Sequence, residues 1–172
     1  WQALVATLGL EEEYAAVYGE PTEASVIEFL TVSRHPCSIL SSLTAARENA
    51  RGVRDYLSSE IWVAINRLYH ASSRANVHLI MADGLYDFCD SVRQGTQLFH
   101  GTVESTALHD EGWHWLQCGV LLERADMVTR LVDSKYHLLM LSLEEVGGAL
   151  DRYQWAAVLR SISGYEAFRR TH

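Results

Sequence analysis

Proline is nearly absent from this sequence, and that scarcity constrains the fold more than any other feature. Only Pro21 and Pro36 interrupt the 172 residues, so long stretches can keep every backbone hydrogen bond of an α-helix. The alternation of β-branched and polar residues that marks a half-buried strand is scarce. The sequence therefore predicts an all-α fold, a bundle of long antiparallel helices.

Composition sets the size class and excludes several kinds of partner. With 172 residues, 48% of them apolar, we expect a single helical domain over residues 1–172. The net charge of −8 provides no basic field for nucleic acid or anionic lipid. The apolar runs are far shorter than the ~20 residues of a membrane span, and three widely spaced cysteines fit no disulfide framework. We therefore predict a cytoplasmic protein that binds neither nucleic acid nor membrane.

Apolar periodicity and capping residues place the first helices. One begins at Pro36 and carries apolar residues at steps of three and four. A second begins at Ser58-Ser59, where either hydroxyl can cap the helix. Asp83-Gly84 marks a turn, and the helix that follows is softened by Gly95. These patterns predict three consecutive helices in the first two thirds of the chain.

The longest predicted helix is a spine near residues 110–140. Asp110 is expected to cap it, and its apolar residues run to Leu138, which makes about 30 residues. Gly147-Gly148 then ends a short loop, and a last helix begins at Tyr153.

A weak internal repeat relates the two ends of the chain. Alignment of Trp1 with Trp155 also pairs two further identical residues and several conservative ones. The match predicts partial repeats at 1–35 and 150–172, as though the sequence were a window of a longer, duplicated protein. Chance similarity between two amphipathic helices would also produce so short a match.

Arg124 does not fit a solvated helix surface. On a helical wheel it lies in the apolar stripe of the spine helix, between Val120 and Met127. A buried guanidinium without a partner costs several kcal/mol, so a carboxylate from another helix should meet it. The candidate partners are, in order, Glu166, Glu12 and Glu60. A structural ion pair explains this arrangement more simply than a ligand site does.

A mixed-charge stripe runs beside Arg124 on the spine helix. Its members are Glu123, Asp126, Arg130, Asp133 and His137. The helix after Pro36 carries a complementary set, Arg47, Arg51 and Arg54. Pairing between the two stripes would explain both without a ligand. If they border a cleft instead, an amino acid or peptide would suit the mixed charge.

Motifs that would specify a reaction are missing from the sequence. Asp133 with His137 is a single, commonplace pair, so no metal is predicted. No Gly-x-Ser-x-Gly elbow occurs, and no cysteine lies beside an obvious histidine and acid. Gly147-Gly148 lacks the lysine of a phosphate loop. We therefore predict no cofactor and name no catalytic residue.

Two signatures in the expected order resemble the alpha-E domain family. The first comprises the segments 46–51, 59–62 and 66–69, and the second comprises 110–113, 122–127 and 130–133, with the Glu-Arg pair at Glu123-Arg124. Together with Glu166, the resemblance and the charge pattern yield the candidate binding residues. These are Glu123, Arg124, Asp126, Arg130, Arg47, Glu48, Asn49, Glu60 and Glu166.

The resemblance also implies a functional context. Members of this family are typically encoded beside, or fused to, ATP-grasp proteins of bacterial pathways that make or modify peptide-like amides. It implies a non-catalytic accessory module that acts with an ATP-grasp carboxylate-amine ligase and that can bind a peptide or amino acid. An enzyme using Glu123, Arg124 and partner carboxylates is the alternative, and a purely structural domain is the third.

Overall fold

The computed structural model describes residues 1–136 and 146–171. These residues contain helices and turns but no strand, which confirms the all-α prediction. The helices are α1 (Gln2–Thr7), α2 (Glu11–Tyr18), α3 (Glu23–Thr31), α4 (Ile39–Gly52), α5 (Ser59–Ser72), α6 (Val77–Asp83), α7 (Leu85–Thr106), α8 (Glu111–Ser134), α9 (Ala149–Ser161) and α10 (Tyr165–Thr171), with a 3₁₀ turn at Arg54–Tyr56.

The described residues group into two compact units. The first unit consists of Trp1 and Tyr14–Trp113, and the second consists of Gln2–Glu13 and the described residues from His114 onward. The expectation of a single domain over residues 1–172 stays a prediction.

The core of the first unit forms where α5 packs against α4 and α7. Ile61, Ile65 and Leu68 follow one another at steps of four and three along α5, and all are buried. Each such burial contributes about 1.5–3 kcal/mol. At Gly95 of α7, an added Cβ would lie 2.5 Å from Cδ1 of Leu68. Gly95 therefore allows close packing of α7 on α5, within a helix that continues through it.

Serine hydroxyls determine where α4 and α5 begin. Oγ of Ser38 accepts a hydrogen bond from the backbone N–H of Ser41 at 3.1 Å, so α4 begins at Ile39 and the predicted start at Pro36 is wrong. The cap is favoured because the same buried hydroxyl donates to the carbonyl of Ser33 at 2.7 Å. Ser58 caps α5 as predicted.

The same backbone turn follows α1 and α9 in the second unit. Its central residue is left-handed in both, with φ of 65° at Gly9 and 58° at Ser163. The backbone hydrogen bonds also correspond: Gly9 N to Ala6 O (2.9 Å) and Leu10 N to Val5 O (3.3 Å), and Ser163 N to Arg160 O (3.1 Å) and Gly164 N to Leu159 O (2.7 Å). These are the positions that the alignment of Trp1 with Trp155 pairs. The duplication itself stays a prediction.

Helix α8 corresponds to the predicted spine. Asp110 caps it as predicted, because its Oδ1 accepts hydrogen bonds from the backbone N–H groups of Gly112 and Trp113 at 3.0 and 3.2 Å. The helix extends for 24 residues to Ser134, and no residue in it is buried. The predicted end at Leu138 lies outside the described residues. The next helix, α9, begins at Ala149 and not at the predicted Tyr153.

Candidate functional site

In the first unit, the first signature forms a cluster around Arg47. Nε of Arg47 donates to Oδ1 of Asn66 at 2.7 Å, and Nη1 donates to Oε1 of Glu48 at 3.0 Å. The guanidinium carbon lies 4.9 Å from the ring centroid of Tyr69 and 5.9 Å from that of Trp62. Hydrogen bonds and ring faces together hold Arg47 in one position.

The helical spacing of α5 produces this cluster. Trp62, Asn66 and Tyr69 lie at steps of four and three and therefore share one face. The amide nitrogen of Asn66 donates to the carbonyl of Trp62 at 2.8 Å, which leaves its oxygen directed at Arg47. Tertiary contacts thus fix an arginine whose side chain is still 26% exposed.

Two more arginines surround the same cluster. Arg51 pairs with Glu48 at 2.7 Å, and the guanidinium of Arg54 lies 5.6 Å from the Trp62 ring. Arg47 and Arg51 share the Glu48 carboxylate, and Arg54 adds a third guanidinium, so the cluster can attract a further carboxylate. The predicted pairing of these arginines with the acids near residue 126 would join the two units and stays a prediction.

Two other first-signature candidates lie apart from Arg47. Asn49 is exposed on α4. Glu60 lines a shallow cavity of about 330 Å³ between α5 and α7. The other lining residues are Ser59, Val63, Ala64, Arg67, Leu98 and Thr102. The first signature therefore supplies two separate surfaces.

In the second unit, Arg130 connects α8 to the turn after α1. Its Nε donates to Oδ2 of Asp126 at 2.7 Å, and its Nη1 donates to the carbonyl of Leu8 at 2.8 Å. The hydrogen bond and the charge of Asp126 raise the pKa of Arg130, and the charge of Glu123 adds to the effect. Arg130 therefore stays protonated while it stabilises a helix end.

Arg130 also lines a cavity of about 670 Å³ between α1 and α8. Its lining residues are Ala6, Thr7, Gly9, Val128, Thr129, Arg130, Val132, Asp133 and Tyr136. This volume lies within the 300–1,000 Å³ that is usual for small-molecule sites. Arg130 and Asp133 place opposite charges in it, next to apolar side chains.

The prediction that Arg124 is buried against a carboxylate is wrong. Arg124 and Glu123 are exposed, and no ion pair of Arg124 occurs among the described residues. Glu166, the first candidate partner, pairs with Arg169 at 3.2 Å on the exposed surface of α10. The helical wheel gave the wrong environment for Arg124 because apolar residues occur all round α8, so periodicity alone could not identify a buried face.

A buried ion pair in the second unit was missed by sequence reasoning. Nζ of Lys135 lies 2.8 Å from Oδ1 of Asp151, with side-chain exposures of 2% and 12%. The hydrogen bonds from Lys135 and from the backbone N–H of Gly147 lower the pKa of Asp151. The sequence signal was the presence of a single lysine among arginines, but nothing in the spacing indicated its partner.

Comparison with protein-family models decides the assignment. The model that matches residues 1–172 is Alpha-E, a predicted alpha-helical domain with a conserved ER motif. The chain belongs to the alpha-E family. No curated protein and no solved structure matches it. The alpha-E signatures therefore lie on α4, α5 and α8, with Glu123-Arg124 as our assignment of the ER pair.

Two further observations on this alpha-E chain concern metals and membranes. Within residues 1–136 and 146–171, no group of three or more His, Cys, Asp or Glu side chains could hold a metal ion. His137, the predicted neighbour of Asp133, lies outside those ranges. No helix in the described part of the chain has both the length and the apolar character that crossing a membrane requires.

Proposed function

We propose that this chain is a non-catalytic helical module that binds a partner protein through one face of α8. The supporting observation is that a 24-residue helix buries none of its residues. Helices in globular proteins normally derive their stability from a packed apolar stripe. A long helix without buried residues is suited to be completed by another molecule.

The proposed surface, called here the outer face of α8, consists of Trp115, Cys118, Gly119 and Leu122. Steps of three, one and three place these residues on one side of the helix. Trp115 is 68% exposed and Leu122 is 71% exposed. Between them, a Cβ at Gly119 would meet no atom within 4 Å. A side chain of the partner can occupy that gap, with the large apolar residues on either side.

Charge around the outer face indicates what the partner presents. Glu123 and Asp126 lie on or beside it, and both are exposed. The chain as a whole carries a net charge of −8. A partner surface with an apolar centre and a basic rim complements this arrangement.

For the partner we propose an ATP-grasp carboxylate-amine ligase, on the strength of the family resemblance. In this scheme the ligase performs the ATP chemistry of peptide-like amide synthesis or modification, and the alpha-E module positions it or its product. The bacterial and cytoplasmic setting belongs to the same proposal.

The test is binding between the purified chain and an ATP-grasp ligase encoded in the same gene neighbourhood. We expect co-purification and a Kd below about 50 μM by calorimetry. Trp115→Ala combined with Leu122→Ala should weaken binding at least about tenfold, since exposed aromatic anchors dominate such interfaces.

Tyr86→Ala is the matched control, because Tyr86 is 78% exposed on α7, far from the proposed face in sequence. It should leave the Kd unchanged. A ligase that fails to bind, or that binds the double variant as tightly as the original chain, would disprove docking through α8.

A second function, binding of an amino acid or short peptide, is favoured by the cavity between α1 and α8. Arg130 can attract a carboxylate and Asp133 an ammonium, and the cavity volume suits such a ligand. Calorimetry with a set of di- and tripeptides tests this proposal. Asp133→Asn should reduce affinity at least about tenfold, whereas Asp55→Asn in the first unit should not. Glu123 and Arg124 are not among the cavity's lining residues, so an enzyme built on that pair has less support.

A further inference from the structure

The turn between α3 and α4 brings a thiol and an imidazole together. Sγ of Cys37 lies 2.8 Å from Nδ1 of His35. The backbone N–H of Cys37 points at the same nitrogen, with a distance of 3.3 Å between the two nitrogens. Sequence reasoning found no such pair, because it sought a cysteine beside both a histidine and an acid.

The surrounding structure holds the imidazole in place. The ring of His35 lies 4.8 Å from the ring of the buried Phe29, centroid to centroid. The backbone N–H of His35 donates to Oγ of Ser33 at 3.1 Å, and Ser38 donates to the carbonyl of Ser33. The pair is therefore part of a fixed turn that leads into the cap of α4.

The hydrogen bonds determine which way the proton moves. Because a backbone N–H donates to Nδ1 of His35, that nitrogen carries the lone pair in the neutral ring. The thiol of Cys37 is then the donor of the contact between the two side chains. Transfer of its proton to Nδ1 produces a thiolate beside an imidazolium, the arrangement that makes cysteines nucleophilic.

The other two cysteines provide internal references. Cys89 lies on α7, where nearby protein atoms desolvate its sulfur and raise its pKa. Cys118 is exposed on α8. Exposure alone would make Cys118 the faster-reacting thiol, since Cys37 is only partly exposed.

We propose that Cys37 is a histidine-activated thiol that forms mixed disulfides with small disulfide compounds. Sγ of Cys37 gives its proton to Nδ1 of His35, and the resulting thiolate attacks one sulfur of the compound R–S–S–R. The new S–S bond forms as the original one breaks, and RS⁻ leaves and takes up the proton. One molecule of RSH is released, so Cys37 is oxidised and the compound is reduced.

The test uses 5,5′-dithiobis(2-nitrobenzoic acid) with three variants of the full chain, each retaining one cysteine and carrying serine at the other two positions. We expect the folded Cys37 variant to react at least about fivefold faster than the Cys118 variant near neutral pH. In concentrated guanidinium chloride the two rates should converge, because the contact with His35 is lost. Mass spectrometry of the product locates the adduct.

His35→Asn in the Cys37 variant should remove most of the advantage and should change the dependence of the rate on pH. Equal folded rates for Cys37 and Cys118 would overturn the proposal without reference to any histidine variant. A His35→Asn chain that stays folded by circular dichroism and reacts as fast as before would remove His35 from the mechanism.

Discussion

Helices α5 and α8 both carry signature residues of the alpha-E family, but they use apolar surface differently. α5 buries Ile61, Ile65 and Leu68. Arg47 of the neighbouring α4 contacts the Tyr69 ring and the Asn66 amide. α8 has no fully buried residue and leaves Arg124 exposed. Because α4, α5 and α7 are close in the chain, short connections bring them together. Periodicity marks the apolar stripe of α5, whereas apolar residues occur all round α8, and only neighbouring elements decide which surface is covered.

The largest expected difference between the helices is in the cost of removing an apolar side chain. Ile65→Ala should lower the free energy of unfolding by about 3 kcal/mol, because Ile65 is 3% exposed and its removal leaves a cavity. Leu122→Ala on α8 should change it by less than about 0.5 kcal/mol. Urea unfolding followed by circular dichroism measures both. Similar losses would mean that the two helices are equally packed.

The same contrast should hold for arginine. Arg47→Ala removes two charge-assisted hydrogen bonds and a contact with the Tyr69 ring, which should cost about 2 kcal/mol. Arg124→Ala should cost less than about 0.5 kcal/mol, because Arg124 is exposed. A large loss of unfolding free energy for Arg124→Ala in the isolated chain would support the buried carboxylate partner that the sequence predicted for Arg124.

Acid titration should distinguish the buried ion pair of the second unit from an exposed one. Asp151→Asn should destabilise the chain at pH 7, because Lys135 is buried and loses its counter-charge. The pKa of Asp151 is lowered in the folded chain. Its stabilisation is therefore fully present above the unfolded pKa of about 4 and is lost as the pH falls through the folded pKa.

Urea unfolding from pH 7 to pH 3 should accordingly show a difference in unfolding free energy between the original chain and Asp151→Asn. This difference should shrink below about pH 4. Asp126→Asn is the comparison, since Asp126 and Arg130 are 50% and 41% exposed, and it should cost less at neutral pH. A difference for Asp151→Asn that is as large at pH 3 as at pH 7 would contradict the role of its charge.

Alanine substitutions at two helical glycines should change stability by about 1 kcal/mol or less and in opposite directions. Gly119→Ala should stabilise the isolated chain by about 0.8 kcal/mol, because its Cβ would meet no atom and alanine favours a helix. Gly95→Ala should destabilise by about 1 kcal/mol, because its Cβ would press on the buried Leu68. Thermal unfolding resolves both. If Gly119→Ala also weakened ligase binding, that result would support contact between a ligase side chain and the gap at Gly119.

Local features were the most predictable from sequence. The caps at Ser58 and Asp110 were predicted correctly because a cap requires only a hydroxyl or carboxylate beside the first turn. The start of α4 was placed too early because Pro36 suits a first turn, whereas the buried Ser38 makes the cap.

Features that depend on distant residues could not be predicted. The hydrogen bond between Arg47 and Asn66 joins two helices, and the ion pair of Lys135 with Asp151 joins residues that are well separated in the chain. A helical wheel states which residues share a face, but it does not state what meets that face. For that reason the environment of Arg124 was predicted wrongly, and a shared site of the charged candidates stays a prediction.

The burial of Lys135 has a practical consequence, because it is the only lysine in the sequence. Reagents that acylate primary amines will find no accessible side-chain amine on the folded chain, and enzymes that modify lysine will find no exposed substrate. Acylation of Lys135 therefore requires the second unit to open. The rate at which its mass increases in an amine-reactive reagent would report how often that opening occurs.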